Sequence, residues 1–216
     1  MKFKKDLENI GFKFNDYDPY IANRLVNGYQ HTVRFHVDDL LSSHVDPKVN
    51  DRFQVWLEKM YGKYKAVEPT RGKKHDYLGM LVDFTEKGKV KIDMVKYVES
   101  MIEDFPEKIN KISKTPAAEN LLEIGTGKLL DKAKSKAYHT TVAKGLFLCK
   151  RSRPDIQPTI AVLSTRVKSP TESDWKKLIK MLEYLKGNSK ICLKLKADNL
   201  QAVKWYVDAS FAVHPD

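Results

Sequence analysis

The chain has 216 residues, with 39 Lys+Arg against 28 Asp+Glu, a formal charge of +11 and a pI near 9.4. At 42% apolar and 10% aromatic residues it can bury a core, which argues against a disordered chain. Its longest apolar runs, Leu146–Cys149 and Ile160–Leu163, fall far short of the roughly 20 residues of a membrane span. The opening MKFKKDLENI lacks the apolar stretch and cleavage site of a secretory leader, and Cys149 and Cys192 both sit in apolar settings. They read as reduced thiols of an intracellular protein, not as a disulfide scaffold or a zinc ribbon.

Phe3, Leu7 and Ile10 recur at helical spacing and Gly11 stops the helix. A chain that opens inside an amphipathic helix reads as cut. Tyr20–Val26 and Tyr29–Val37 flank Asn27-Gly28, the residue pair of a type I′ hairpin turn. The second strand runs into Asp38-Asp39, and Leu40-Leu41-Ser42-Ser43 resumes an extended pattern, so a tight turn is expected to carry both aspartates at its tip. Asp46-Pro47 starts a helix with the apolar stripe Val49, Phe53, Trp56, Leu57 and Met60, ended by Gly62. A second hairpin joins Tyr77–Phe84 to Lys89–Asp93 through Thr85-Glu86-Lys87-Gly88. A helix follows on Met94, Val98, Met101, Ile102 and Phe105.

Residues 107–135 lack periodicity and are expected to form a mobile connector. Helical spacing returns over 136–150 and again on Ile156, Ile160, Leu163 and Val167, with Asp155 as the expected N-cap of the latter. Pro170-Thr171-Glu172-Ser173-Asp174 is a capping box ahead of Trp175, Leu178, Ile179, Leu182 and Leu185; these apolar residues read as core before they read as a stacking platform. Ile191–Leu195 and Val203–Val207 are expected strands, and the end soon after Asp208 again reads as cut.

The surplus charge favours polyanion partners, nucleic acid first, although a lysine-rich solvated surface explains it equally well. It is clustered: 107–153 holds eleven Lys+Arg and four Asp+Glu, so 11 − 4 places +7 of the +11 there. Within that region Lys144, Lys150, Arg151 and Arg153 are candidates for backbone phosphate contacts, with a solvated helix end as the alternative for the arginines.

The sharpest local signal is Phe35-His36-Val37-Asp38-Asp39-Leu40-Leu41. Two carboxylates about 4 Å apart repel by about 4 kcal/mol at an effective dielectric near 20. A divalent cation removes that cost, and oxygen-only ligands suit Mg²⁺, with Mn²⁺ as a substitute. Two readings stay open beside it: Asp-Asp as a solvated turn, and a transition-metal group of His36, Asp38, Asp39 and His44.

Val37-Asp38-Asp39-Leu40 between strands resembles the metal-binding hairpin of reverse transcriptases. The likeness extends in order along the chain to copia-type retrotransposon polyproteins. It runs through Ile10-Gly11-Phe12, Asp18-Pro19-Tyr20, Tyr77-Leu78-Gly79-Met80 and Tyr138. It continues through Leu146-Phe147-Leu148, Arg153-Pro154-Asp155-Ile156, Ser169-Pro170-Thr171, Trp175, Tyr184-Leu185-Lys186-Gly187 and Trp205-Tyr206-Val207-Asp208-Ala209-Ser210. The resemblance implies an α+β chain: the later part of a reverse-transcriptase palm over 1–92, a helical thumb and connection over 93–200, and the first strand of a ribonuclease H-like fold over 201–216. It implies RNA-directed DNA polymerisation and ribonuclease H activity in the full-length parent, on an RNA template, a DNA primer and their RNA–DNA hybrid, with deoxynucleoside triphosphates. The parent would work in a cytoplasmic virus-like particle or the nucleus, with DNA integration as the outcome and with no membrane. A homo-oligomer stays open.

By the same resemblance, Asp38 and Asp39 help hold catalytic Mg²⁺ at the primer end, and Tyr77, Leu78 and Gly79 match a counterpart of the primer grip. Asp208 matches the first metal-binding aspartate of the ribonuclease H site, whose other acids would lie beyond residue 216. His36 stands where the family commonly has Tyr. The family's third palm aspartate and its fingers residues lie upstream of a helix like 1–10, and Asp16 and Asp18 sit at the wrong turn to substitute. This chain alone is therefore expected not to polymerise. The rival readings are a non-catalytic nucleic-acid-binding remnant and an interaction module that keeps the fold without a ligand.

Overall fold

A computed structural model of the chain describes residues 2–63, 66–124, 127–196 and 207. In it, Phe3, Leu7 and Ile10 line one face of α1 (Lys2–Asn9), with Leu7 fully buried. Gly11, at φ 89°, turns the chain out of the helix. Four antiparallel strands follow in the spatial order of the sequence: β1 (Lys13–Phe14), β2 (Ile21–Val26), β3 (Tyr29–His36) and β4 (Asp39–Ser43). Asn27 (φ 53°) and Gly28 (φ 79°) make the left-handed pair that joins β2 to β3, as the sequence predicts.

The register sets Ala22 opposite Val33 and Phe35 opposite Leu40, so one face of the sheet is apolar. That face packs with Leu7, Phe12 and Phe53, the last from α2 (Pro47–Tyr61). Asp46 caps α2, its carboxylate accepting from the Lys48 amide at 3.0 Å, and Pro47 stands where no amide is needed. Of the predicted stripe, Val49 and Phe53 are buried, Trp56 and Leu57 pack against the cluster, and Met60 is exposed. Among these apolar side chains runs a half-buried polar chain centred on the buried His31. Arg24 Nε donates to His31 Nδ1 (3.2 Å), His31 Nε2 donates to Ser42 Oγ (2.9 Å), and Ser42 donates to Asn50 Oδ1 (2.8 Å).

The chain divides into two compact units, 1–78 and 79–216. The sequence-based division between residues 92 and 93 thus falls inside the second unit. The expected strand Tyr77–Phe84 is two strands, β5 (Lys74–Tyr77) and β6 (Met80–Asp83), because Leu78 (φ 51°) and Gly79 (φ 72°) both turn left-handed. In the second unit β6 pairs antiparallel with β7 (Lys89–Asp93), and β7 with β8 (Leu193–Lys196).

Four helices build the second core: α3 (Val95–Glu103), α4 (Lys132–Cys149), α5 (Gln157–Thr165) and α6 (Glu172–Gly187). Met101, Tyr138, Val142, Ile160, Leu163, Leu178 and Leu182 are buried together, and Phe105 stacks on Trp175 at 4.9 Å between ring centres. Trp175, Leu178 and Leu182 are therefore core. A Cβ added at Gly145 would come within 2.3 Å of Ile160 Cδ1, so α4 and α5 approach closely there. The Thr171–Asp174 capping box forms as predicted, with Thr171 N and Oγ1 both donating to Asp174 Oδ2 at 2.8 Å.

Three expectations are corrected here. Helix α4 begins at Lys132, earlier than residue 136, because Asp131 caps it through the Lys134 amide at 2.9 Å. Asp155 does not cap α5: a 3-10 turn, Pro154–Ile156, precedes the helix, and the carboxylate is taken by Arg153 and Tyr184. Residues 107–135 are not a free connector. Ser113 N donates to Glu183 O (3.2 Å), Trp175 Nε1 to Glu107 (2.9 Å), Lys177 to the carbonyls of Leu121 and Glu123, and Lys186 to that of Ile109. Leu129 also bridges Thr171. The described residues of 107–131 form a strap laid along α6. The expected strand Val203–Val207 lies outside the described residues except for Val207, as do Asp208 and residues 209–216.

Candidate functional site

His36 pairs with Asp39 across the two-residue turn Val37-Asp38, so β3 and β4 form a tight hairpin. Asp38 sits in the turn itself, whereas Asp39 opens β4; the tip expected for both aspartates holds one. Val37 has φ 54°, a conformation that costs a β-branched residue about 1–3 kcal/mol, and its side chain is 84% exposed. No local packing repays that cost. Both aspartates are exposed, and among the described residues no lysine, arginine or histidine pairs with either, in a chain with 39 Lys+Arg.

Of the expected Tyr77-Leu78-Gly79 segment, the structure brings Tyr77 and Leu78 to this hairpin. The Leu78 amide donates to Asp39 Oδ2 at 3.3 Å, and the left-handed Leu78 backbone is what aims it. Tyr77 is 5% exposed, and its hydroxyl has no hydrogen-bond partner among the described residues. The Arg34 guanidinium lies 5.6 Å from the Tyr77 ring centre. Burial pushes the Tyr77 phenol upward; Arg34 opposes this, while the charges of Asp39 and Asp18 reinforce it. The phenol is thus a neutral group at neutral pH.

Arg34 was not among the residues the sequence singled out, and as a site residue Asp18 entered there only as an acid at the wrong turn to replace the third palm aspartate. Arg34 alternates with the buried Val33 and Phe35 and so points away from the core; that period-two signal was legible. Asp18 is placed by tertiary pairing. Its carboxylate accepts from the Tyr20 amide (3.0 Å), Tyr20 O accepts from the Phe35 amide (3.0 Å), and the Tyr20 ring lies 6.1 Å from that of His36. Asp18 therefore sits at the same end of the sheet as Asp38 and Asp39.

The transition-metal grouping of His36, Asp38, Asp39 and His44 does not assemble. His44 lies past the far end of β4, where its Nδ1 accepts from the Asp46 amide at 2.9 Å and its Nε2 faces Val26 O at 3.3 Å. Among the described residues no group of three or more His, Cys, Asp or Glu is gathered for a metal ion. Asp38 and Asp39 by themselves offer exposed oxygen donors with no cationic partner among the described residues, and the Leu78 amide takes only Asp39 Oδ2. In kind, this partial donor set fits Mg²⁺, a hard cation that keeps much of its water.

Of the four candidates for phosphate contacts, the structure leaves three at least partly exposed to solvent and buries the fourth. Lys150 is exposed, and Arg151 is half-buried over the Phe147 ring at 3.7 Å. Lys144 is ion-paired with Asp104 at 2.6 Å. Arg153 is the correction. It is fully buried, donating to Asp155 (2.8 and 3.0 Å) and to Asn188 O (3.0 Å), and it anchors the fold in place of meeting a ligand. Burial works to raise the Asp155 carboxyl, and the hydrogen bonds from Arg153 and Tyr184 overcome it, holding the group below its ordinary value. Among the described residues no helix is long and apolar enough to cross a membrane.

No family model matches the chain, and no solved structure matches it significantly. The chain is similar to a Saccharomyces cerevisiae protein named for the transposon Ty5-1, at 26% identity over 211 residues and 96% of its own length. It spans 66% of that relative, just under two thirds. This likeness, running through nearly all of the chain, supports its derivation from a transposable element.

Proposed function

We propose that the chain is the reverse-transcriptase region of a copia-type retrotransposon polyprotein running into ribonuclease H, and that the Val37–Asp39 hairpin is part of its polymerase site. The observation that carries this reading is the exposed, unpaired Asp38–Asp39 turn joined to the Leu78 amide, in a chain similar over 96% of its length to a transposon protein.

In this reading Asp38 and Asp39 hold Mg²⁺, which when bound neutralises charge developing on the phosphoryl oxygens. The chain's own contribution is positional. The β3–β4 register fixes where the carboxylates stand, and the Leu78 amide restrains Asp39 while leaving Oδ1 available. Tyr77 and Leu78 supply a rigid turn against which a primer end can rest. Lys132, Lys136 and Lys150, exposed along or beside α4, supply charge for a nucleic-acid backbone. The third palm aspartate that the resemblance requires matches no residue of these 216, so this chain binds an RNA–DNA hybrid without extending it.

The test is primer extension on an RNA template with Mg²⁺, run beside hybrid binding by fluorescence anisotropy, with Asp38→Asn/Asp39→Asn as the control. Hybrid binding without extension is the expected result. Extension that vanishes in the double variant would overturn the reading of an incomplete site. Absence of both binding and extension would favour an interaction module.

A further inference from the structure

We propose that the hollow between α4 and the end of α3 binds a small organic anion, a compact apolar body carrying one negative charge. The site stands apart from the polymerase reading and uses no residue of the Asp38–Asp39 hairpin.

The cavity measures about 250 Å³. Its origin lies in the sequence of α4, where Ala133, Ala137, Thr140 and Thr141 recur at three- and four-residue intervals. A row of short side chains therefore runs along the face of α4 that meets the end of α3. Met101, Asp104 and Pro106 form the opposite wall, and Lys144 Nζ donates to Asp104 Oδ2 at 2.6 Å, tying the two walls together. Short side chains leave a hollow but do not choose its occupant.

Two further features do. Thr141 lines the cavity at only 6% exposure, and its hydroxyl has no hydrogen bond among the described residues. The hydroxyls of Ser164 and Thr165, by contrast, donate to carbonyls of their own helix, those of Ile160 and Val162. A hydroxyl as deep as that of Thr141 is costly without a partner. The second feature is Lys136, which is exposed on the cavity lining and has no acidic partner among the described residues. Its neighbour Lys134 is paired with Glu107 and Glu172, and Lys144 with Asp104. The Lys144–Asp104 pair cancels, so the lining keeps one positive charge, that of Lys136.

The occupant that answers both features is amphiphilic. Its apolar body lies against Met101, Ala133 and Ala137, and its anionic oxygens accept from the Thr141 hydroxyl and the Lys136 ammonium, as charge-assisted bonds. An inorganic ion would leave the apolar wall uncovered, and a hydrocarbon would leave the hydroxyl and the ammonium without a partner. Ligand pockets usually span about 300–1,000 Å³; this one is smaller and suits a molecule built on a single ring.

The test titrates the ¹⁵N-labelled full chain with benzoate and follows the amide shifts. Acetate supplies the charge without the ring, and benzyl alcohol the ring without the charge. Benzoate should give saturable shifts confined to residues 101–106 and 133–144, with either fragment binding at least about tenfold more weakly. Lys136→Met keeps the stem and removes the charge; it should weaken benzoate about tenfold and leave benzyl alcohol nearly unchanged. Thr141→Val keeps the shape without the hydroxyl and should weaken benzoate about fivefold. Lys136 is exposed, so its variant decides the matter even if Thr141→Val fails to fold. Acetate binding as tightly as benzoate would overturn the proposal by reducing it to charge, and equal binding of benzyl alcohol would reduce it to an apolar hollow. Benzoate shifts as large around Lys132 and Lys150 would reduce it to surface charge, and the absence of saturable shifts would end it outright.

Discussion

His31 is fully buried between Phe12 and Phe53, with ring centres at 5.0 and 5.3 Å. Its two nitrogens are committed, one accepting from Arg24 and the other donating to Ser42. Burial, then the Arg24 charge and His44, push its pKa down to about 4 from an ordinary 6.5. The unfolded chain therefore takes up a proton first as pH falls. Stability from this group is complete above pH 6.5 and is lost progressively toward pH 4, by about 3 kcal/mol in all. Urea unfolding of His31→Gln should show a flatter pH dependence than the unaltered chain between pH 7 and 4, whatever its absolute stability. A second residue-scale expectation concerns Val37. Asn tolerates the left-handed backbone that Val resists, so Val37→Asn should stabilise the fold by about 1 kcal/mol in the same measurement. The sequence showed the Asp38–Asp39 pair plainly but not the strain beside it, since a valine before two aspartates reads as strand.

At the scale of elements, what was legible was what is decided locally. Asp46-Pro47, Asn27-Gly28 and the Thr171–Asp174 box each form where the sequence places them, because each satisfies its own backbone within four residues. Thr171→Ala removes the hydroxyl that bonds buried Asp174 and should cost about 1–2 kcal/mol, read as a lowered denaturation midpoint. The strap over 107–131 was illegible for the opposite reason. Its partners on α6 lie as many as 77 positions away, as in the bond from Lys186 to Ile109 O, and no periodicity announces them. The Ser113 amide, bonded to Glu183 O, should accordingly exchange with solvent far more slowly than the exposed amides of a connector; fast exchange there would contradict the strap.

At the scale of the whole molecule, charge is the property read most easily and assigned least reliably to single residues. The cluster over 107–153 is real in sequence, yet Arg153 and Lys144 are engaged with Asp155 and Asp104, and Lys134 is shared between Glu107 and Glu172. What remains for a polyanion is the exposed set Lys132, Lys136 and Lys150 on and beside α4, together with the exposed Lys108, Lys111, Lys114 and Lys128 of the strap. Hybrid affinity should then fall with salt by about 0.9 log unit per log unit for each phosphate neutralised on B-form DNA, with a similar slope on a hybrid. Lys136→Glu with Lys150→Glu should flatten that slope, whereas Lys144→Gln should change it little.

The strap also bears on the order in which the chain can acquire its fold during synthesis. Residues 107–123 leave the ribosome well before the helix that receives them, and Arg153 waits likewise for Tyr184 and Asn188. Until α6 emerges, Ile109, Phe105 and the buried faces of α3 to α5 have no lid, and an apolar surface stands open to other nascent chains. Translation through residue 188 is thus a commitment point: a ribosome that stalls before it presents a sticky intermediate, and one that passes it releases a chain able to close.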